Sequence, residues 1–157
     1  MLTVPHYRQT NPGNRNSCVP AAVRIVFAYQ GVHIEEAAVC DLLQTDETGT
    51  SLADLDTLLA QSFPHCYVRV ESSSLDSLRQ SLQDGIPPIV IVNTASLQSY
   101  WQRECVHALV VVGIEEQAVF VNDPFFDDAP KQIPTAEFLA AWGVYGQFTI
   151  IIVLPKV

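Results

Sequence analysis

The sequence predicts an α+β fold, in which a helical N-terminal half holds a buried helix packed on an antiparallel sheet from the C-terminal half. Three observations carry this. Apolar positions recur at helical spacing in the first half. In the second half they fall in short β-branched runs. The 157 residues are 48% apolar and only 16% charged, enough for one domain with a real core. A helical lobe is expected over about residues 1–65 and a sheet lobe over about 66–157, with a cleft near residue 65 or 85. No linker is long enough to argue for two independent domains.

The elements follow in order. The first 17 residues are polar, contain Pro and Gly in "TNPGNRNS", and read as a loop. Residues 18–30 place Val19, Ala22, Val23, Val26 and Phe27 on one helical face. Ala21, Ile25 and Ala28 make the other side apolar too, so this helix is buried nearly all round. Pro20 fits only in a first turn and fixes the start close to Cys18, while Gly31 stops the helix. A second helix spans residues 34–43. A third follows "TGT", with Ser51 as its cap, Asp54 three residues on, and Leu52, Leu55 and Leu59 on one face. "CYVRV" is a strand, "SLDSLRQSLQDG" a helix ended by Gly85, and "PPIVIVN" a buried strand. "HALVVVGI" and "AVFVND" are close enough to form a hairpin. A short helix at "TAEFLAAW" and a strand at "GQFTIIIVL" complete the chain.

Composition narrows the function. The formal charge of −9 repels phosphate backbones, which argues against nucleic acid and leaves peptides open. No apolar run approaches the roughly 18 residues of a membrane span. The N-terminus lacks the basic-then-apolar pattern of a signal peptide, so a cytoplasmic protein is expected. Cys18, Cys40, Cys66 and Cys105 are widely and irregularly spaced, which suggests neither a disulfide framework nor structural zinc.

Each thiol is then weighed singly. A cysteine on the first turn of a helix lies in the field of unpaired N–H groups, which favours thiolate and can hold an oxyanion. Cys18 has that position; the alternative is a core residue that begins a buried helix. Cys40 reads as core packing and Cys66 as a half-buried strand residue. Cys105 shares a strand face with His107, but no finger or ribbon spacing and no fourth ligand accompany it, so no metal is expected. A thiol nucleophile needs a base. His33 and His65 fall in loops, and His6 reads as surface or loop packing. His107 opens an apolar strand and is the candidate, with a satisfied core histidine as the plain alternative. Asp123 lies sixteen residues further on. A three-residue hairpin loop, Glu115 to Gln117, puts Asp123 on the face of His107; a two-residue loop puts Asn122 there instead.

Taken together, Gln9, "SCVPAA", "TGTSLADLDTLL", "LQDGIPPIVIVN", "HALVVVGI" and "FVNDP" resemble the papain-like double-glycine (bacteriocin-processing) cysteine peptidases, above all their stand-alone members. The resemblance runs from about residue 4 to 124. It implies a papain-like cysteine peptidase fold and no cofactor. It assigns Cys18 as nucleophile, His107 as general base and acid, Asp123 as the residue that orients His107, and Gln9 as an oxyanion donor. It also implies a peptide or protein substrate, cut after two small residues such as Gly-Gly. Two departures stand out. Val19 replaces the glycine that usually follows the cysteine and could crowd the oxyanion. Gln9 lies nine rather than six positions before Cys18, so the loop must bulge to return it, or Asn14 or Asn16 takes its place. An inactive peptide-binding module and an acyl or amide transferase of the same fold remain alternatives. Tyr100, Trp101 and Trp142 are candidate walls of a peptide groove, or core.

Overall fold

Six antiparallel strands run through the middle of the molecule, seen in a computed structural model that describes residues 1–156. They are β1 (Tyr67–Ser72), β2 (Ile89–Asn93), β3 (Val106–Ile114), β4 (Ala118–Asn122), β5 (Lys131–Pro134) and β6 (Phe148–Val153), in the order β1-β6-β2-β3-β4-β5. Among the described residues five α-helices pack around them: α1 (Cys18–Tyr29), α2 (Glu36–Leu42), α3 (Leu55–Ser62), α4 (Leu75–Gln83) and α5 (Thr135–Gly143). Among the described residues no helix is long and apolar enough to cross a membrane.

α1 is the expected buried helix. Its side chains are covered everywhere except at Arg24 and Tyr29. Pro20 lies in the first turn, where its missing N–H forfeits no bond, and Gly31 takes φ +87° just beyond the end. α1 packs directly on β3. Alternate residues of the central strands face opposite sides. Ile89, Ile91, Ala108, Val110 and Ile150 join the core under α1, α2 and α3. Val90, Val92, Leu109, Val111 and Val121 join a second core with α5 and Leu78 of α4. Both faces are covered, which explains why "PPIVIVN" is apolar without alternation.

Several details differ from the sequence reading. β5 was not expected; it is a four-residue edge strand ending in Pro134, too short to leave a periodic signal. Ser51 does not cap α3. It precedes a 3-10 turn, Leu52–Asp54, makes no side-chain capping bond, and the α-helix begins only at Leu55. Asp54 is one methylene shorter than the Glu or Gln that completes a capping box. The cleft expected near residue 65 or 85 is not the one that gathers the candidate residues. That cleft lies where the loop before α1 meets the start of β3.

The polar N-terminal stretch is pinned along β3 and β4. Leu2 N–H donates to Val112 O at 2.7 Å. Asn122 Nδ2 donates to Val4 O and Pro5 O at 3.2 and 3.3 Å. Gln9 N–H donates to Pro124 O at 2.6 Å, which brings Gln9 beside Asp123.

Candidate active site

Cys18 is the first residue of α1 and is 9% exposed. His107 is the second residue of β3, and Asp123 follows the last residue of β4; they are 3% and 0% exposed. The hairpin decides which side chain meets His107. Near the turn Ile114 pairs with Val119 and Gly113 with Phe120, a register that would deliver the wrong parity at the far end. A bulge between Val111 and Gly113 adds one residue to β3. Beyond it Val111 pairs with Val121 and Val110 with Asn122, so Asp123 takes the face of His107. Asn122 points the other way and holds the N-terminal strap.

The carboxylate of Asp123 can only accept, so His107 Nε2–H donates to its Oδ1, at 2.6 Å. Nδ1 is then the ring atom left for Cys18, which is near enough to the imidazole to act on its pKa. Burial opposes a charge on His107, but bonds to Asp123 and Cys18, and the negative charge they bring, raise its pKa to about 10. Burial likewise pushes the Asp123 carboxyl upward. The bond and charge of His107, with further N–H donors, outweigh burial and lower its pKa.

Four donors surround Asp123. Oδ1 also accepts the Phe125 N–H at 3.0 Å, and Oδ2 accepts Tyr100 Oη–H and Trp101 Nε1–H, each at 2.9 Å. Burial first, then the adjacent Asp123 charge, push the Tyr100 hydroxyl far above its ordinary pKa, so it stays a donor. The Trp101 ring meets the His107 ring edge-on, with centroids 4.9 Å apart. Trp101 therefore walls the cleft and braces the pair together. Tyr100 serves the carboxylate alone, and Trp142 is a core residue with no place in the cleft.

The cleft has a volume of roughly 300 Å³, with Gln9, Asn11, Trp101, Arg103, His107 and Phe125 on its walls. Gln9 reaches it because the intervening loop folds back on itself. A 3-10 turn at Pro12–Asn14 is flanked and interrupted by left-handed residues, Asn11 at φ +50°, Gly13 at +67° and Asn14 at +60°. Asn14 and Asn16 border the same cleft. The Gln9 amide lies against that of Asn11, Nε2–H to Oδ1 at 2.9 Å. Val19 does not crowd this space: it is 6% exposed and belongs to the core under α1.

The other titratable candidates, Cys105 apart, lie away from the cleft. Cys40 is fully buried in the core, and burial raises the pKa of both its thiol and that of Cys66. Cys105 packs beside Thr94, whose hydroxyl lies 3.5 Å from its sulfur, and edges the cleft. His33 and His65 are exposed, and His6 Nε2 bonds Phe126 O at 2.7 Å. No group of three or more His, Cys, Asp or Glu side chains is placed to hold a metal ion among the described residues. Glu36 was missed from sequence. It is a buried carboxylate, 4% exposed, behind the loop that carries Gln9. Its position was the available signal: it shares a helical face with the apolar Val39, Cys40 and Leu43.

The sequence model of the Peptidase C39 like family matches residues 1–150. No curated protein matches the chain. Among solved structures, a Bacillus anthracis protein assigned as a C39-like peptidase superposes with a TM-score of 0.78 at 15% identity, over 99% of this chain and 96% of that one. The peptidase domain of Streptococcus ComA, a bi-functional ABC transporter involved in quorum sensing, gives 0.70 at 17% identity over 99% and 100%. A double glycine motif protease from an AMS/PCAT transporter, in complex with the leader peptide, gives 0.69 at 16% identity over 96% and 91%. At these identities the structures show a shared fold.

Proposed function

Because the chain belongs to the Peptidase C39 like family, we propose that it is a cysteine peptidase in which Cys18, His107 and Asp123 act as a triad. One observation carries the reading: Asp123 holds the His107 imidazole at the wall of a cleft, and Cys18 at the start of α1 is near enough to raise the pKa of that imidazole. His107 takes the thiol proton and Cys18 Sγ attacks the peptide carbonyl carbon. The carbonyl oxygen becomes an oxyanion held by the Cys18 N–H, at the positive end of α1, and by the Gln9 amide. His107 then protonates the leaving amine as the carbon–nitrogen bond breaks, leaving a thioester. Water, deprotonated by His107, releases the new carboxylate and restores the thiol. Asp123 keeps the Nε2 proton in place so that Nδ1 stays free to exchange protons with sulfur.

The substrate we assign is a leader or precursor peptide cut after two small residues, typically Gly-Gly. The sequence resemblance supports this, as does the double glycine protease of the same fold. The experiment is iodoacetamide labelling at pH 6 with the alkylated cysteine mapped, beside cleavage of a Gly-Gly peptide. Cys18 is expected to react faster than Cys40, Cys66 and Cys105, and His107→Ala to remove that lead by tenfold or more. Equal labelling of accessible thiols, with no cleavage, would leave a peptide-binding module.

A further inference from the structure

Resting on the peptidase reading, we propose that Arg103 is a specificity residue of the cleft. It selects peptides that carry a carboxylate within a few residues of the scissile bond.

The charge pattern singles out this side chain. The chain has 17 acidic and only 8 basic residues, so carboxylate partners are abundant. Arg8, Arg15, Arg24, Arg69 and Arg79 each have one, at 2.5–3.4 Å. Arg103 has none within ion-pair distance among the described residues. It stands exposed on the wall of the cleft that holds His107. Arg15 borders the same cleft, but Asp41 already occupies its guanidinium. Glu47 is the one carboxylate among the described residues that line this space, and it does not pair with Arg103. A peptide in the cleft therefore meets a cation that no group of the protein neutralises.

Arg103 is held at both ends. Its main-chain O accepts from Thr94 Oγ1–H at 2.7 Å, and Thr94 is buried. Its guanidinium carbon lies over the Phe125 ring, 5.6 Å from the centroid, close enough for the cation to be attracted by the ring face. Phe125 is itself fixed by the N–H it gives to Asp123 Oδ1 and by the Trp101 ring, 4.7 Å away between centroids. The residues that hold His107 in place thus also carry the guanidinium. The Phe125 and His107 ring centroids are 6.5 Å apart, so the guanidinium lies within about 12 Å of the imidazole, a distance that an extended peptide covers in about four residues. A guanidinium resting on a ring face keeps its N–H edge free. That edge matches a carboxylate through two parallel hydrogen bonds, which an amide of the same shape cannot return. The carboxylate has two sources in a peptide, an Asp or Glu side chain and the free C-terminus.

The test uses Gly-Gly peptides, amidated at the C-terminus, with Glu or Gln placed in turn at each of the four positions on either side of the cleaved bond. Wild type reports kcat/KM. Cys18→Ala, which binds without cleaving, reports Kd by fluorescence anisotropy. At one position or more Glu is expected to win over Gln by about fivefold in low salt, the scale of a partly solvated ion pair. High salt shrinks that lead, because an exposed pair is screened. Arg103→Gln brings the Glu-to-Gln ratio to about one. Arg103→Glu inverts it, so that Lys wins over Gln at the same position. Arg79→Gln makes the same change in net charge on α4, and it keeps the wild-type ratio. A Gln peptide with a free C-terminus at the same distance gains the same lead if the chain end is the source, and that gain is lost in Arg103→Gln. A ratio near one at every position, for side chain and chain end alike, overturns the proposal, as does an equal fall of the ratio in Arg103→Gln and Arg79→Gln. Cleavage without any such preference leaves the peptidase reading standing and removes the role of Arg103. Binding that prefers the carboxylate, with no cleavage by wild type, removes the peptidase reading and leaves Arg103 as the selector of a peptide-binding cleft.

Discussion

Asp123→Asn tests the centre of the site, because it removes one charge while keeping shape. In the wild type the His107–Asp123 pair is buried at 3% and 0% exposure and joined at 2.6 Å. Breaking a buried pair by removing one partner costs about 3–5 kcal/mol. The Asn amide also turns an NH2 toward His107, or toward Tyr100 and Trp101, all of which are donors. The cost must depend on pH in a definite way. The folded pKa of His107 is raised, so its contribution is complete below the unfolded value of about 6.5 and fades as pH climbs toward about 10. The folded pKa of Asp123 is lowered, so its contribution is complete above about 3.9 and fades as pH falls through the folded value. The two windows overlap between about pH 4 and 6.5, where the gap between wild type and Asp123→Asn should be largest. Urea unfolding of both proteins at intervals from pH 4 to 10 measures it. A gap that stays constant, or widens above pH 7, would refute the coupling of these charges.

Two further variants separate the supporting residues. Tyr100→Phe removes one donor from Asp123 Oδ2 and leaves Trp101 on the same oxygen, so stability falls by about 1–2 kcal/mol in thermal or urea unfolding, with the ring packing kept. Val19→Gly restores the residue usual after the cysteine in the double-glycine peptidases, yet Val19 packs in the core. It should therefore cost about 2 kcal/mol and bring no gain in kcat.

The order of helices and strands could be read from the chain wherever burial writes a long periodic signal. α1 and α4 are such cases, their ends marked by Pro20 with Gly31 and by Gly85. The sheet order could not. β6 inserts between β1 and β2, although it is last in sequence, and nothing local encodes a partner that far away. The covering of both sheet faces was visible only indirectly, in the unbroken apolar run of β2. α4 and α5 fall in the half expected to be sheet, because a helix on the second face serves strands on either side of it in sequence.

The site was legible as residue types and illegible as geometry, and the hairpin shows why. Sequence left Asp123 and Asn122 as rivals, because one residue of loop length decides the parity of every position beyond it. The structure spends that residue in the strand rather than the turn. The pairing nearest the turn alone would have sent Asn122 toward His107, and the bulge at Val112 reverses this. Nothing in "HALVVVGI" announces the bulge, since Val112 is as apolar as its neighbours and 2% exposed. Both outcomes have a use in the finished fold: Asp123 receives four donors on the His107 side, and Asn122 ties down the strap that delivers Gln9. One bulge therefore fixes two things together, the carboxylate beside His107 and the route of the strap that carries Gln9. A change of register would lose both at once.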